Sequence, residues 1–314
     1  MSSLPWSWIA FCLFVLAMLA LDLGVLHRRP RKLKIREALG WSVVWISLAL
    51  CFDLGLYLWQ GVEPAAQFLA GYLIEKSLSV DNLFVFLLIF AYFKVPDRLQ
   101  QRALAWGILG ALLLRGTMIG AGAYLIRHFH WVLYVFGAFL VYTGFRIAFG
   151  KEAGVDPERN PVLRAFRRLA RITPSFEGAR LVVRRDGRLW ATPLFVVVLV
   201  IETSDIVFAV DSIPAIFAVS TDAFIVFTSN VFAILGLRAL YFALAGVAGM
   251  FHYLKYGLGV VLAFVGTKML VAGIFKIPTF VALMLVVLVL LVSIGVSLHW
   301  PPGRDRQPES EPES

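Results

Sequence analysis

What most constrains this chain is a succession of apolar runs, each about 20 residues long and separated by short polar breaks. A helix of that length crosses a hydrocarbon core roughly 30 Å thick. Nine runs can be drawn, at about 8–26, 38–59, 68–93, 103–126, 131–149, 192–217, 223–245, 256–275 and 279–298. Alternating ten-residue strands, the signature of a membrane barrel, are not seen. With 60% hydrophobic residues, 16% charged residues and mean hydropathy +0.82, the chain has too little polar surface to clothe a soluble globule. The expected fold is all-α: a polytopic membrane protein of about nine transmembrane helices over residues 1–300. The tail 301–314, ending QPESEPES, is disordered by composition.

A net charge of +9 would suggest nucleic acid for a soluble protein, but here the placement of the basic residues decides against it. Counted over the alternating loops, 22 Lys and Arg fall on one side and two, Arg127 and Lys276, on the other. The positive-inside rule then sets the N-terminus outside and the C-terminus in the cytoplasm. Basic residues follow the first run instead of preceding it, so it reads as a retained span and not as a cleaved signal. Cys12 and Cys51 lie in apolar runs and support neither a disulfide framework nor a thiolate metal site.

The longest cytoplasmic loop, 150–191, is basic. Asn160-Pro161 opens a short helix with Val162, Leu163, Phe166 and Leu169 on one face and arginines between them. That pattern suits the anionic headgroups of the inner leaflet. Further on, Asp186-Gly187 between β-prone runs predicts a hairpin.

Residues 201–219 read IETSDIVFAVDSIPAIFAV and place Glu202, Asp205 and Asp211 in a membrane-length segment. An acid at the bilayer centre costs about 2.5–3.5 kcal/mol on insertion scales, so such residues usually face a bundle interior or an ion path. A second segment matches the first. Glu75, Asp81 and Asn82 align with Asp205, Asp211 and Ser212; Arg115 aligns with Arg238 one run later; Gly137, Gly144 and Arg146 align with Gly259, Gly266 and Lys268 after that. The matched spans cross in opposite directions, which predicts an inverted repeat of three plus three helices, about 68–149 and 192–275. Secondary transporters build alternating access around such repeats.

Seven acids, Asp22, Asp53, Glu75, Asp81, Glu202, Asp205 and Asp211, lie in or beside the runs with five cations, Lys76, Arg115, Arg146, Arg238 and Lys268. One-to-one pairing leaves two acids over, for a bound cation or for protons. An oxygen-only donor set suits hard divalent ions such as manganese, magnesium or calcium. Neither a zinc-hydrolase motif nor a nucleophile with an adjacent base is present, so an enzyme is not expected. Asp205 and Asp211 point about 120° apart on an ideal helix. Either they do different jobs or the helix unwinds between them, and Pro214 favours unwinding.

The stretches GYLIEKSLSVDNLFVFLLIF, WGILGALLLRG, ATPLFVVVLVIETSDIVFAVDSIPAIFAVS and FTSNVFAILGLRALYF closely resemble the TerC family of integral membrane proteins. The resemblance implies a bacterial inner-membrane protein of the lysine-exporter superfamily type, linked to manganese(II) export and tellurite resistance. It implies ion ligands at Glu75, Asp81, Asn82, Asp205, Asp211 and Ser212. Glu202, whose counterpart is Tyr72, is the weaker one. Manganese(II) is then cargo, exchanged for protons, and no prosthetic group is expected. An acid-lined site would repel an oxyanion, which favours the cation over the tellurium label. The alternatives are a non-transport scaffold using the basic loop, and an exporter of a small organic cation or amino acid.

Overall fold

A computed structural model describes residues 5–26, 35–129, 131–149, 161–185, 187–244, 253–275 and 277–299. Without water in a bilayer core each backbone N–H and C=O must be satisfied within its own segment, and helices do this locally. The described residues form α1 (Pro5–Leu26), α2 (Ile35–Gln60), α3 (Val62–Tyr92), α4 (Asp97–His128), α5 (Val132–Phe149), α6 (Pro161–Leu169), β1 (Val182–Arg185), β2 (Arg188–Ala191), α7 (Pro193–Phe217), α8 (Ala223–Leu235), α9 (Leu237–Leu244), α10 (Leu254–Val271) and α11 (Thr279–His299). Among them six stretches are long and apolar enough to cross a membrane: α2, α4, α5, α7, the α8–α9 rod and α11. The protein is mostly helical and multi-pass. Helix α3 has the length, but Glu75, Lys76 and Asp81 interrupt its apolar character, and the apolar part of α1 is shorter.

Helices α3 and α4 each pack against both α7 and α8, while α5 packs against α10. Around these, α2 lies on α3 and α9, and α11 lies on α10 and α3. Phe11, Phe52, Phe68 and Phe232 join α1, α2, α3 and α8 through ring centroids 5.0–5.8 Å apart. The α5–α10 contact depends on four glycines. A Cβ at Gly137 would lie 2.9 Å from the Gly266 carbonyl oxygen, and one at Gly266 would lie 2.6 Å from that of Gly137. The Gly144 and Gly259 pair is equally reciprocal, at 2.6 and 2.7 Å. Backbones this close require residues without side chains.

Both expected loop elements form. Gly187, at φ 73°, lies in the left-handed region that the turn between β1 and β2 requires, and Val182 pairs with Ala191. Asn160 and Asp186 lie outside the described residues. Helix α6 differs from the expectation in where its apolar face goes. Leu163 is buried in the main core and Phe166 stacks on Phe195 at the start of α7, 5.2 Å between ring centres. The apolar face therefore docks on the protein, where it meets complementary apolar surface, and Val162 stays exposed. Thr192 then starts α7. It is extended, its hydroxyl accepts from the Phe195 N–H and donates to the Arg180 carbonyl, and Pro193 occupies the first turn.

Candidate functional site

The two acidic segments meet on α3 and α7, which pack side by side with α4 against α7. On α3, Tyr72, Glu75, Ser79 and Asn82 follow one another at steps of three and four and so share a face; on α7, Glu202, Asp205, Ala209 and Ser212 do the same. Arg115 of α4 joins the two faces. Its Nε and Nη2 donate to Asp205 Oδ2 and Oδ1 at 3.0 and 2.9 Å, a forked pairing. Its Nη1 donates to Glu75 Oε1 and lies 3.4 Å from Ser212 Oγ. Arg115, Glu75 and Asp205 are 1%, 0% and 3% exposed. Removing one member of such a buried group typically costs about 3–5 kcal/mol, because the charge left behind has no partner.

Two carboxylates share one guanidinium, a formal net charge of one negative for the group. It is also under-bonded. Glu75 Oε2 and Ser79 Oγ, both enclosed, have no hydrogen-bond partner among the described residues, and Asn82 is buried on the same face. Buried oxygens with spare lone pairs are what a hard cation binds.

The helix does not unwind between Asp205 and Asp211. Helix α7 continues through Pro214 to Phe217, and α3 is unbroken from Val62 to Tyr92. Pro214 sits in the last turn of α7, where it cannot donate to the Val210 carbonyl, yet the helix runs on to Phe217 without a break. The two acids of α7 therefore do different things. Asp211 faces α5, accepting from Thr143 Oγ1 at 3.3 Å with the Arg146 charge nearby. Glu202 faces α4, its carboxylate lying against Gly110 where any side chain would collide with it, and its Oε2 is enclosed without a partner among the described residues. The Asp81 side chain lies outside the described residues. Among the described residues no three His, Cys, Asp or Glu side chains stand close enough to hold a metal ion. A cation at Arg115 would thus meet two carboxylates and neutral oxygens.

The other cations go elsewhere. Arg238 is buried on α9. Lys268 feels the charge of Glu63 and lines a mostly apolar cavity of about 280 Å³ with Phe217, Thr221 and Met269. Lys76 donates to the Ala233 carbonyl at 3.2 Å. Its ammonium occupies the space beside Gly236, where the rod expected as one span divides into α8 and α9. Thr143, Gly110 and the Lys76 contact carry no sequence signal of their own, because each is defined by the helix opposite.

The family model described as integral membrane protein TerC family matches residues 60–304, which include all four helices around Arg115 and Asp211. An uncharacterised membrane protein of Myxococcus xanthus is 52% identical over 294 residues, 94% of this chain and 92% of its own length. A protein of Escherichia coli K12 with the provisional name membrane-bound redox modulator Alx is 48% identical over 313 residues, 96% of this chain and 97% of its own. Its Salmonella typhi namesake is 47% identical, with 96% and 97% covered. No solved structure matches. By the extent of the family match and these identities, the chain belongs to the TerC family of integral membrane proteins.

Proposed function

We propose that this protein is a secondary transporter exporting a hard divalent cation, manganese(II) foremost, from the cytoplasm in exchange for protons. The observation that carries the reading is the pair of buried carboxylates, Glu75 and Asp205, brought from two helices to one point beside enclosed oxygens that have no partner among the described residues. Two carboxylates neutralise one divalent ion, and protons can take its place on the return. Asp211, Ser212, Asn82 and Asp81 extend the path, and Arg115, Arg146, Arg238 and Lys268 offset charge along it.

Alternating access needs two related halves. The matched sequence segments supply them, and the packing respects the match: exchanging α3 with α7, α4 with α8 and α5 with α10 maps the α3–α8 contact onto α4–α7, and it leaves α3–α7, α4–α8 and α5–α10 in place. The reciprocal glycine contacts of α5 and α10 have the same two-fold character. This supports an inverted repeat within nine spans, N-terminus outside, in a bacterial inner membrane. Exposed arginines of the basic loop, such as Arg164, face anionic headgroups.

Efflux from manganese-loaded cells tests the reading. Glu75→Gln and Asp205→Asn should each abolish export of the ion at wild-type protein levels; unchanged efflux in both removes the site. The relatives' name suggests a second reading, in membrane redox. The thiols available for it are Cys12 and Cys51, exposed on α1 and α2. A redox phenotype that disappears in a Cys12→Ser, Cys51→Ser double variant with intact metal efflux would favour that reading.

A further inference from the structure

We propose that Arg115 is a built-in competitor for the cargo: its guanidinium and a divalent ion exclude one another from Glu75 and Asp205, and export proceeds by their exchange. The inference rests on the reading that these two acids take the cargo. The geometry supplies its reason. Arg115 spends three of its nitrogens on Asp205, Glu75 and Ser212, on the inner faces of α3 and α7 that a cation bridging the two acids would use. The residue is 1% exposed, so water does not screen what it does there.

Charge then decides between sharing and exchange. With Arg115 seated the group carries one negative charge. With a divalent ion in its place the group is neutral, whereas both together leave the group one buried positive charge, with no third carboxylate among the described residues placed to join Glu75 and Asp205 as a ligand. Exchange is the lower-cost course. The oxygens suited to the incoming ion are already enclosed at the site: Glu75 Oε2 and Ser79 Oγ have no partner among the described residues. They give a divalent ion more ligands than Arg115 uses. A monovalent ion gains no such advantage, since replacing Arg115 by it leaves the group's charge unchanged. Competition therefore selects valence, and it keeps binding weak enough for release.

Full-length wild type, Arg115→Gln and Arg115→Lys, each in lipid nanodiscs, can be titrated with manganese(II), the bound ion read by loss of its free EPR signal. If the arginine-free form of the wild-type site is populated at about 1–10%, removing the competitor tightens apparent binding about 10- to 100-fold. Arg115→Gln should show that gain with slower efflux, and added guanidinium should weaken its binding back toward wild type. Arg115→Lys keeps the charge that folding needs but loses the fork, and should tighten binding several-fold. Wild-type binding with no tightening in whichever variants fold overturns the competition and leaves the cargo reading standing. No binding in wild type or variants overturns the cargo reading and the competition with it.

Discussion

The α5–α10 contact makes a sharp prediction about stability. A Cβ at Gly144 would lie 2.6 Å from the Gly259 carbonyl oxygen, 2.7 Å from the Ala263 nitrogen and 3.2 Å from its Cα, all backbone atoms that cannot rotate away. Reaching ordinary contact means separating the helices from 2.6 to 3.4 Å, about 0.8 Å at this point. Overpacking of this kind costs about 1–3 kcal/mol, and the looser packing it forces along both helices pushes the cost to the upper end. Gly120→Ala on α4 is the matched control, because nothing lies within 4 Å of its added Cβ. There the better helix propensity of alanine makes the change neutral or stabilising by up to about 1 kcal/mol. Thermal unfolding in a mild detergent should show Gly144→Ala melting roughly 2–8 °C below wild type and Gly120→Ala at or above it. Equal melting of the two variants would refute the reasoning, since the same chemical change would then have the same effect with and without an opposing backbone.

Two further substitutions bear on the basic 150–191 loop. Thr192→Val removes a buried cap that serves the Phe195 N–H and the Arg180 carbonyl, and should destabilise the protein by about 1–2 kcal/mol in the same melting assay. Glu177→Gln breaks a partly exposed pair with Arg185 and should change stability by no more than about 0.5 kcal/mol.

The helices were legible because each is written in local chemistry. Thr192-Pro193 starts α7, Gly187 turns the hairpin, and the apolar runs coincide with helices to within a few residues. The acidic positions were legible too, since an acid in an apolar run stands out. Their partners were not. A count of acids and cations cannot say that Arg115 serves two acids while Lys76 serves a carbonyl, because that depends on how α3, α4 and α7 are rotated against one another. Pro214 illustrates the opposite error. Proline predicts a break from sequence, but in the last turn of α7 the helix accommodates it, and so Asp205 and Asp211 stay on different faces. The glycines of α5 and α10 match each other in sequence; that they also touch each other is a fact of packing alone.

The central claim is that Glu75 and Asp205 carry a divalent ion across the membrane. Purified protein in sealed vesicles, given manganese(II) outside and a pH-sensitive dye inside, tests it with no other component present. Wild type should admit manganese with a matching proton movement in the opposite direction, and Glu75→Gln and Asp205→Asn should admit none above protein-free vesicles. Wild-type vesicles that take up no manganese, or variants that take it up at the wild-type rate, would contradict the account.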